Sequence, residues 1–192
     1  MFGLFSKRPE RLSLDVSAHP SAVAVMHMRI NDSQMLDSTL RGRNQTGGAP
    51  YNGAFSSKLS IDMMWYDLIE EKFYRSQFDV DAKALSTFGG RGDHASLSVE
   101  VGPGAAVTIS TPGPEALRLI GLNQMDDITP EMDVPVVFLE GCAPEVPADP
   151  SPNGILMRAL SDQAGVNRAF EKRENWLAEH EPKTTCAEEG SS

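Results

Sequence analysis

The sequence predicts an α+β fold dominated by an antiparallel sheet, arranged as a sandwich or a strongly curved sheet. Apolar residues alternate in several successive runs with no long helix between them, which disfavours a parallel, doubly wound sheet. One long amphipathic helical pattern follows near the end of the chain. A length of 192 residues suits one domain. We therefore expect a single globular domain over residues 1–181 and a disordered tail over residues 182–192.

The first predicted elements are two strands separated by the His19-Pro20 pair. Apolar residues alternate over residues 12–16, as in a strand with one buried face. The run from Ala22 to Ile30 is apolar on both faces. A strand that is apolar on both faces is typical of the centre of a packed sheet. The second run therefore predicts a central strand.

A long polar stretch over residues 32–57, rich in Gly, Asn and Ser, predicts a loop. Loops longer than about 12–15 residues are usually functional or disordered. Three interpretations stay open: a flexible connector, a loop that contacts a partner, or a loop with a short helical turn around residues 35–40. If the loop contacts a partner, the candidate contact residues are Arg41, Arg43, Asn44 and Tyr51.

The segment from Lys58 to Phe78 begins as a strand with one buried face. Leu59, Ile61, Met63 and Trp65 alternate with mainly polar residues, and an acidic, aromatic turn follows. After this turn, residues 81–88 predict a short helix, capped by Asp79 or Asp81.

The second half of the chain predicts a hairpin, two more strands and a helix. The hairpin spans residues 97–109 around a Gly-Pro-Gly turn, and strands are expected at residues 116–122 and 134–141. A Pro-rich linker over residues 142–152 precedes an amphipathic helix over residues 153–181. Ser161 or Asp162 is its expected cap; the helix packs on the sheet or presents its outer face to a partner. Cys142 and Cys186 are expected to be free thiols because they are far apart in the sequence.

The charge pattern disfavours nucleic acid and anionic membranes as partners. The formal net charge is −10, and residues 44–140 hold six basic and fourteen acidic groups. Phosphate binding is carried largely by Lys and Arg. The acidic surface is either a solvated surface or a docking face for a basic partner. The candidate acidic contact residues are Glu70, Glu71, Asp79, Asp126 and Asp127.

The sequence predicts a binding protein rather than an enzyme. Its four histidines are scattered, and it contains no nucleophile motif, paired metal ligands or phosphate loop, so we expect no cofactor and no metal. The alternative is a ligand-binding or enzymatic β-rich domain with a pocket around Trp65, Tyr66, Phe73 and Tyr74. A start without a secretion signal or lipid-attachment cysteine predicts a cytoplasmic location, unless such a segment once preceded it.

Two segments, WYDLIEEKFYRSQFDVDA from Trp65 and SLSVEVGPGAAVTIS from Ser96, resemble the bacterial family known as domain of unknown function 2931. Many members of that family look like lipoproteins, and some are encoded beside toxins delivered by type VI secretion. The resemblance therefore implies an immunity protein that binds a cognate toxin and occludes its active site. The resemblance implies no catalytic residues, and it does not indicate which oligomeric state to expect.

Overall fold

The computed structural model describes residues 11–42, 57–88, 94–122, 124–148, 154–181 and 186. Within these ranges the chain forms eight strands, three α-helices and three short 3-10 turns. The strands are β1 Arg11–Ile30, β2 Ser33–Gly42, β3 Lys58–Asp67, β4 Lys72–Asp81, β5 Thr87–Phe88, β6 His94–Val101, β7 Ala106–Thr111 and β8 Val136–Cys142; the helices are α1 Pro114–Gly121, α2 Gly154–Ser161 and α3 Gln163–Glu179.

All eight strands belong to one curved, mostly antiparallel sheet that is nearly barrel-shaped. Its main path runs β4-β3-β1-β6-β7-β8, while β2 pairs with β1 and β5 pairs with β6. The pairing of β1 with β6 is parallel, and the other pairings are antiparallel. A bridge between Tyr74 and Glu145 joins β4 to the segment that follows β8. The predicted α+β class with a curved antiparallel sheet is thus confirmed.

Strand β1 is one continuous element of 20 residues, whereas the sequence predicted two strands with a break. The His19-Pro20 peptide bond is cis and lies inside this strand. Before it, β1 pairs with β6 and, at Ala18, with the end of β2; after it, β1 pairs with both β2 and β3. The run from Ala22 to Ile30 therefore occupies the central position that its apolar faces predicted.

Strand β2 occupies part of the stretch that was predicted to be a loop, so this prediction was wrong for residues 33–42. The alternative of a helical turn at residues 35–40 was also wrong. Asn31 and Asp32 have positive φ angles of 48° and 66°, as in the tight turns that reverse a hairpin, and β2 then pairs with β1. The remainder of that stretch up to residue 56 lies outside the described residues.

The core has two parts, one inside the barrel and one beneath the C-terminal helices. Fully buried side chains from β1, β3, β6 and β7 fill the interior, among them Leu12, Ile61, Trp65, Leu97 and Ile109. The second part lies between the outer face of the sheet and the two helices, and it includes Ala22, Ala24, Phe73, Ile155 and Leu156. These two clusters explain why the central strand is apolar on both faces.

The aromatic residues considered for a ligand pocket are packed in these two clusters. The Trp65 and Tyr74 rings lie 5.9 Å apart between centroids, and both side chains are buried in the barrel core. The Tyr66 and Phe73 rings lie 4.8 Å apart and pack in the helix-covered cluster. Each ring contributes to packing between elements.

The helices differ from the sequence prediction at two places. Residues 116–122 were expected to form a strand, but α1 covers most of them; Pro114 begins this helix and Glu115 lies in its first turn, both favourable there. The predicted C-terminal helix is two helices, α2 and α3, with Asp162 as the cap of α3, where its carboxylate accepts from Gly165 N at 2.9 Å.

The short helix predicted after β4 is a 3-10 turn of three residues, Ala82–Ala84. The Asp81 carboxylate caps it by accepting from Lys83 N at 2.9 Å, as one of the two expected caps. The strand β5 then follows instead of further helix. The Gly102-Pro103-Gly104 hairpin between β6 and β7 and the strand β8 are confirmed.

The two cysteines form a disulfide, so the expectation of free thiols was wrong. Cys142 ends β8, and Cys186 lies beyond α3 with a Cα–Cα distance of 5.7 Å between them. The pairing was not predicted because the two cysteines are 44 residues apart in the sequence. Within the predicted tail, Cys186 is thus fixed to the sheet, and the other residues beyond 181 lie outside the described ranges.

Candidate interaction site

The turn between β3 and β4 is shaped by Asp67. Its Oδ1 accepts hydrogen bonds from Ile69 N at 2.8 Å and Glu70 N at 3.0 Å, and its carbonyl accepts from Glu71 N at 2.9 Å. Asp side chains favour such turns because they bond to the backbone a few residues ahead. Glu71 then takes a positive φ of 58° and is exposed. The turn holds Glu70 facing the protein and Glu71 facing solvent.

Glu70 joins three separate elements at one end of the barrel, which we call the closed end. Its carboxylate accepts from Tyr74 Oη at 2.9 Å, from Gly104 N of the β6–β7 turn at 2.8 Å, and from Arg173 of α3. Burial alone would raise the pKa of Glu70, but the bonds from Arg173, Gly104 and Tyr74 outweigh it and lower the pKa. Glu70 is therefore a charged junction within the fold.

Asp67 is the second acid of this network and is 1% exposed. Burial raises its pKa from 3.8 to about 6, and the neighbouring charge of Glu70 adds to the rise. Arg173 Nη1 lies 3.9 Å from Asp67 Oδ1, too far for a hydrogen bond. Asp67 Oδ2 finds no hydrogen-bond donor among the residues that the structure describes. Keeping a buried carboxylate charged when one of its oxygens has no hydrogen bond lowers the stability of the folded state.

A second polar cluster lies on the outer face of the sheet. Arg75 donates to Asp62 through Nε at 2.8 Å and through Nη2 at 2.7 Å, and His27 Nε2 lies 3.5 Å from the same carboxylate. The hydrogen bonds from Arg75 hold the pKa of Asp62 below its usual value. A bidentate pair of this kind is geometrically specific, but partial exposure keeps its contribution modest.

The five acidic residues predicted to contact a partner lie at three separate places. Glu70 is in the internal network and Glu71 is exposed beside it. Asp79 is exposed near the far end of β4, with its carboxylate 2.6 Å from Lys58 Nζ. Asp126 and Asp127 are exposed in the 3-10 turn Met125–Asp127, between α1 and β8. The structure does not bring these residues together into one site.

Of the four contact residues predicted in the long loop, Arg41 alone falls within the described residues. It is part of strand β2. Arg43, Asn44 and Tyr51 lie outside the described residues. Their assignment to a partner surface stays a prediction.

The segment that leads into β8 is an exposed surface that is both acidic and apolar. Asp126 and Asp127 in it were predicted as contact residues, but its exposed apolar residues were not. The side chains of Val134, Val136 and Val137 are 62%, 45% and 46% exposed. Between Arg118 and Arg158 the sequence contains seven acidic residues and no Lys or Arg. That uninterrupted absence of basic residues was the signal that could have found this surface. We call residues 126–137 the acidic–apolar segment.

A second exposed apolar patch lies on the C-terminal helices. Met157, Leu160 and Phe170 are each about half exposed on α2 and α3. Arg158 and Arg168 are exposed close by in the sequence, so this patch lacks the one-sided charge of the acidic–apolar segment.

Over the ranges with assigned structure, no group of three or more His, Cys, Asp or Glu residues could hold a metal ion. No helix in these ranges is long and apolar enough to cross a membrane. Comparisons with protein-family models, with curated proteins and with solved structures found no match. The resemblance to domain of unknown function 2931 therefore stays a prediction.

Proposed function

We propose that this protein is an immunity protein, which binds a cognate antibacterial toxin and neutralises it by covering the toxin's active site. The observation that carries this proposal is the acidic–apolar segment, displayed beside a strand of a rigid sheet. Interfaces gain affinity from buried apolar anchors, while complementary charge speeds association and selects the partner. The segment offers both features in one place.

The chemistry of the segment indicates the kind of toxin site that it fits. A surface with acidic and apolar groups but no Lys or Arg complements a positively charged cleft. Clefts that bind phosphate groups carry such positive charge. We therefore propose a toxin that acts on a phosphate-bearing substrate, and the immunity protein covers the cleft in place of that substrate.

The disulfide bears on where this binding takes place. Disulfides persist in oxidising compartments such as the bacterial periplasm and are rare in the cytosol. The Cys142–Cys186 bond thus argues against the cytoplasmic location predicted from the sequence. We include an oxidising compartment in the proposal; thiol trapping in intact cells with a maleimide reagent, followed by fractionation, tests it.

The test of the proposed function uses the genome that encodes the chain. The products of neighbouring genes are expressed one at a time in a host bacterium, with and without this protein, and growth is followed. We expect one product to arrest growth and this protein to restore it. The purified pair should then bind more weakly at about 500 mM NaCl than at about 50 mM NaCl, because salt screens complementary charges.

A matched pair of variants separates the effect of charge within the acidic–apolar segment from the effect of the total charge of the protein. Asp126→Asn with Asp127→Asn removes two exposed charges within the segment, and Glu171→Gln with Glu174→Gln removes two exposed charges from α3. We expect the first pair to slow association severalfold and the second pair to have little effect. If no neighbouring product is inhibited and no stoichiometric protein partner is found, the proposal is wrong.

A further inference from the structure

The wall of the barrel is only partly closed between its two outermost strands, β4 and β8. Arg75 N donates to the Pro144 carbonyl at 3.2 Å and Val146 N donates to the Phe73 carbonyl at 2.9 Å, around the Tyr74–Glu145 bridge. These contacts lie at the closed end. Beyond them, in the part of the chain that is described, residues 76–81 of β4 and 136–139 of β8 pair with no further strand along these edges. We call this region the β4–β8 opening.

The opening has an apolar lining on the core side. Phe78 of β4 and both Phe138 and Leu139 of β8 are half-buried and pack against the barrel core. Val136 and Val137, on the β8 side, are exposed. An unpaired strand edge that also presents apolar side chains is a template for pairing with another extended segment.

The charge around β8 decides which segment fits. Asp126, Asp127, Glu131 and Asp133 precede this strand and are exposed, with no Lys or Arg near them in the sequence. A second copy of this chain would bring the same edge, which follows four acids and has no Lys or Arg near it, so it offers no basic group to complement them. A segment with Lys or Arg alternating with apolar residues satisfies both the charge and the lining.

We propose that the partner enters as a strand: an extended segment of alternating basic and apolar residues pairs with the β8 edge and fills the β4–β8 opening. Backbone hydrogen bonds supply affinity, and alternate side chains point to the core and to the acidic surface. This inference rests on the proposed function, because it names the element of the toxin that the immunity protein binds.

The test uses a fluorescent peptide of about nine residues that alternates Lys and Val, and a matched peptide that alternates Glu and Val, long enough to span the edge. Binding to the full chain is followed by anisotropy at about 50 mM NaCl, where charge effects are large. We expect the Lys/Val peptide to bind at least tenfold more tightly than the Glu/Val peptide. Its binding should slow hydrogen exchange of those backbone amides in residues 136–139 that point away from β7.

Two substitutions with the same charge change locate the binding surface. Val137→Lys places a charge at the β8 edge, whereas Met157→Lys places it on the exposed patch of α2; the parent side chains are 46% and 58% exposed. Both should fold, which thermal melting checks, and Val136→Lys serves as a second edge variant. We expect the edge variants to weaken peptide binding at least tenfold and Met157→Lys to leave it unchanged.

Four outcomes overturn the inference. If the two peptides bind equally, charge does not select the partner strand. If Val137→Lys and Met157→Lys weaken binding equally, the binding surface does not lie at β8. If the parent is a dimer that Val137→Lys converts to a monomer, a second copy occupies the edge. If the amides of residues 136–139 that point away from β7 resist exchange before any peptide is added, the chain itself covers the edge.

The toxin assay separates this inference from the proposed function. If the parent and Val137→Lys protect cells equally against a neighbouring toxin, the immunity function stands and strand addition is wrong. If the parent protects against none of the neighbouring products, the function is wrong, and the peptide experiments still decide whether the β8 edge accepts a basic strand.

Discussion

The substitution Asp67→Asn should flatten the dependence of stability on pH in weakly acidic solution. Asparagine keeps the Oδ1 acceptor that bonds to the backbone of Ile69 and Glu70, so the turn is retained. It removes the buried negative charge. Since the pKa of Asp67 is raised by burial, native Asp67 binds a proton at pH values where the unfolded chain has released it.

The size and sign of the effect follow from the two pKa values. A rise from 3.8 to about 6 corresponds to about 3 kcal/mol. The native state holds more protons than the unfolded state between these values, so the free energy of unfolding falls as pH rises through them. The stabilisation is fully present below pH 3.8 and lost above about pH 6. About 2 kcal/mol of it falls between roughly pH 4.5 and 7.5.

The opposing groups titrate at lower pH and do not mask this change. Hydrogen bonds lower the pKa of Glu70, Asp62 and Asp79, so the stability that those carboxylates contribute is lost only as pH falls below their ordinary values of 3.8 to 4.5. Burial raises the pKa of Asp15, and its titration adds to the slope of the parent. Parent and variant both retain Asp15, so its contribution cancels in their difference.

Urea unfolding at roughly pH 4.5, 6 and 7.5 provides the measurement. We expect the stability of Asp67→Asn relative to the parent to rise by about 2 kcal/mol across this range. Asp79→Asn is the control, because Asp79 is exposed with a lowered pKa and should leave the difference constant. A constant difference for Asp67→Asn would show that Asp67 does not carry a raised pKa, and the account of the network would be wrong.

Three further predictions concern the closed end. Arg173→Met should lower the free energy of unfolding by about 3 kcal/mol, because it leaves the Glu70 carboxylate without its cation; adding Glu70→Gln in a double-mutant cycle should recover part of this loss. Gly104→Ala should cost about 1 kcal/mol or more, since its φ is 61° and a Cβ would lie 2.9 Å from the Cys186 carbonyl oxygen; urea unfolding checks it, and no loss would contradict it. Replacing Cys142 and Cys186 with Ser should cost up to about 4 kcal/mol through loop entropy; dithiothreitol should have the same effect on the parent and none on the variant.

Strands with strict alternation were the part of the fold that the sequence predicted best. The alternation over residues 59–65 specifies one buried face, and β3 has that face inside the barrel. The run from Ala22 to Ile30 is apolar on both faces because helices cover the outer side of the sheet there. In both places local sequence and tertiary packing agree, and local pattern is then sufficient.

The errors arose where tertiary contacts outweigh local pattern. Residues 33–42 are too polar to suggest a strand, and they form β2 because β1 offers them a long edge. The apolar run over residues 116–122 has no clear period, and only Pro114 and Glu115 indicated a helix start. Whether Cys142 and Cys186 form a disulfide could not be read from the sequence, since the fold alone brings residue 186 to the end of β8.

The sequence predicted the acidic chemistry of the candidate site and two of its residues, Asp126 and Asp127, but not its exposed apolar part. The excess of acid was visible from composition, and the segment with no Lys or Arg could have been found. Glu70 could not be separated from Glu71 by sequence, because one points to Arg173 and Gly104 and the next points to solvent. The two side chains point in different directions because the backbone turns at Glu71, where φ is positive. That turn depends on the hydrogen bonds that Asp67 accepts from the backbone.

The two ends of the barrel are held with very different strength, and this difference favours strand entry at one of them. At the closed end, Glu70 bonds to Gly104 and Arg173 and so connects the β3–β4 turn to the β6–β7 turn and to α3. The Cys142–Cys186 disulfide and the Tyr74–Glu145 bridge hold the end of β8 and the segment after it. Within the described ranges, pairing between β4 and β8 stops beyond those contacts. Local opening costs least where few contacts must break. A partner strand can therefore add at residues 136–139 while the closed end keeps the sheet in register.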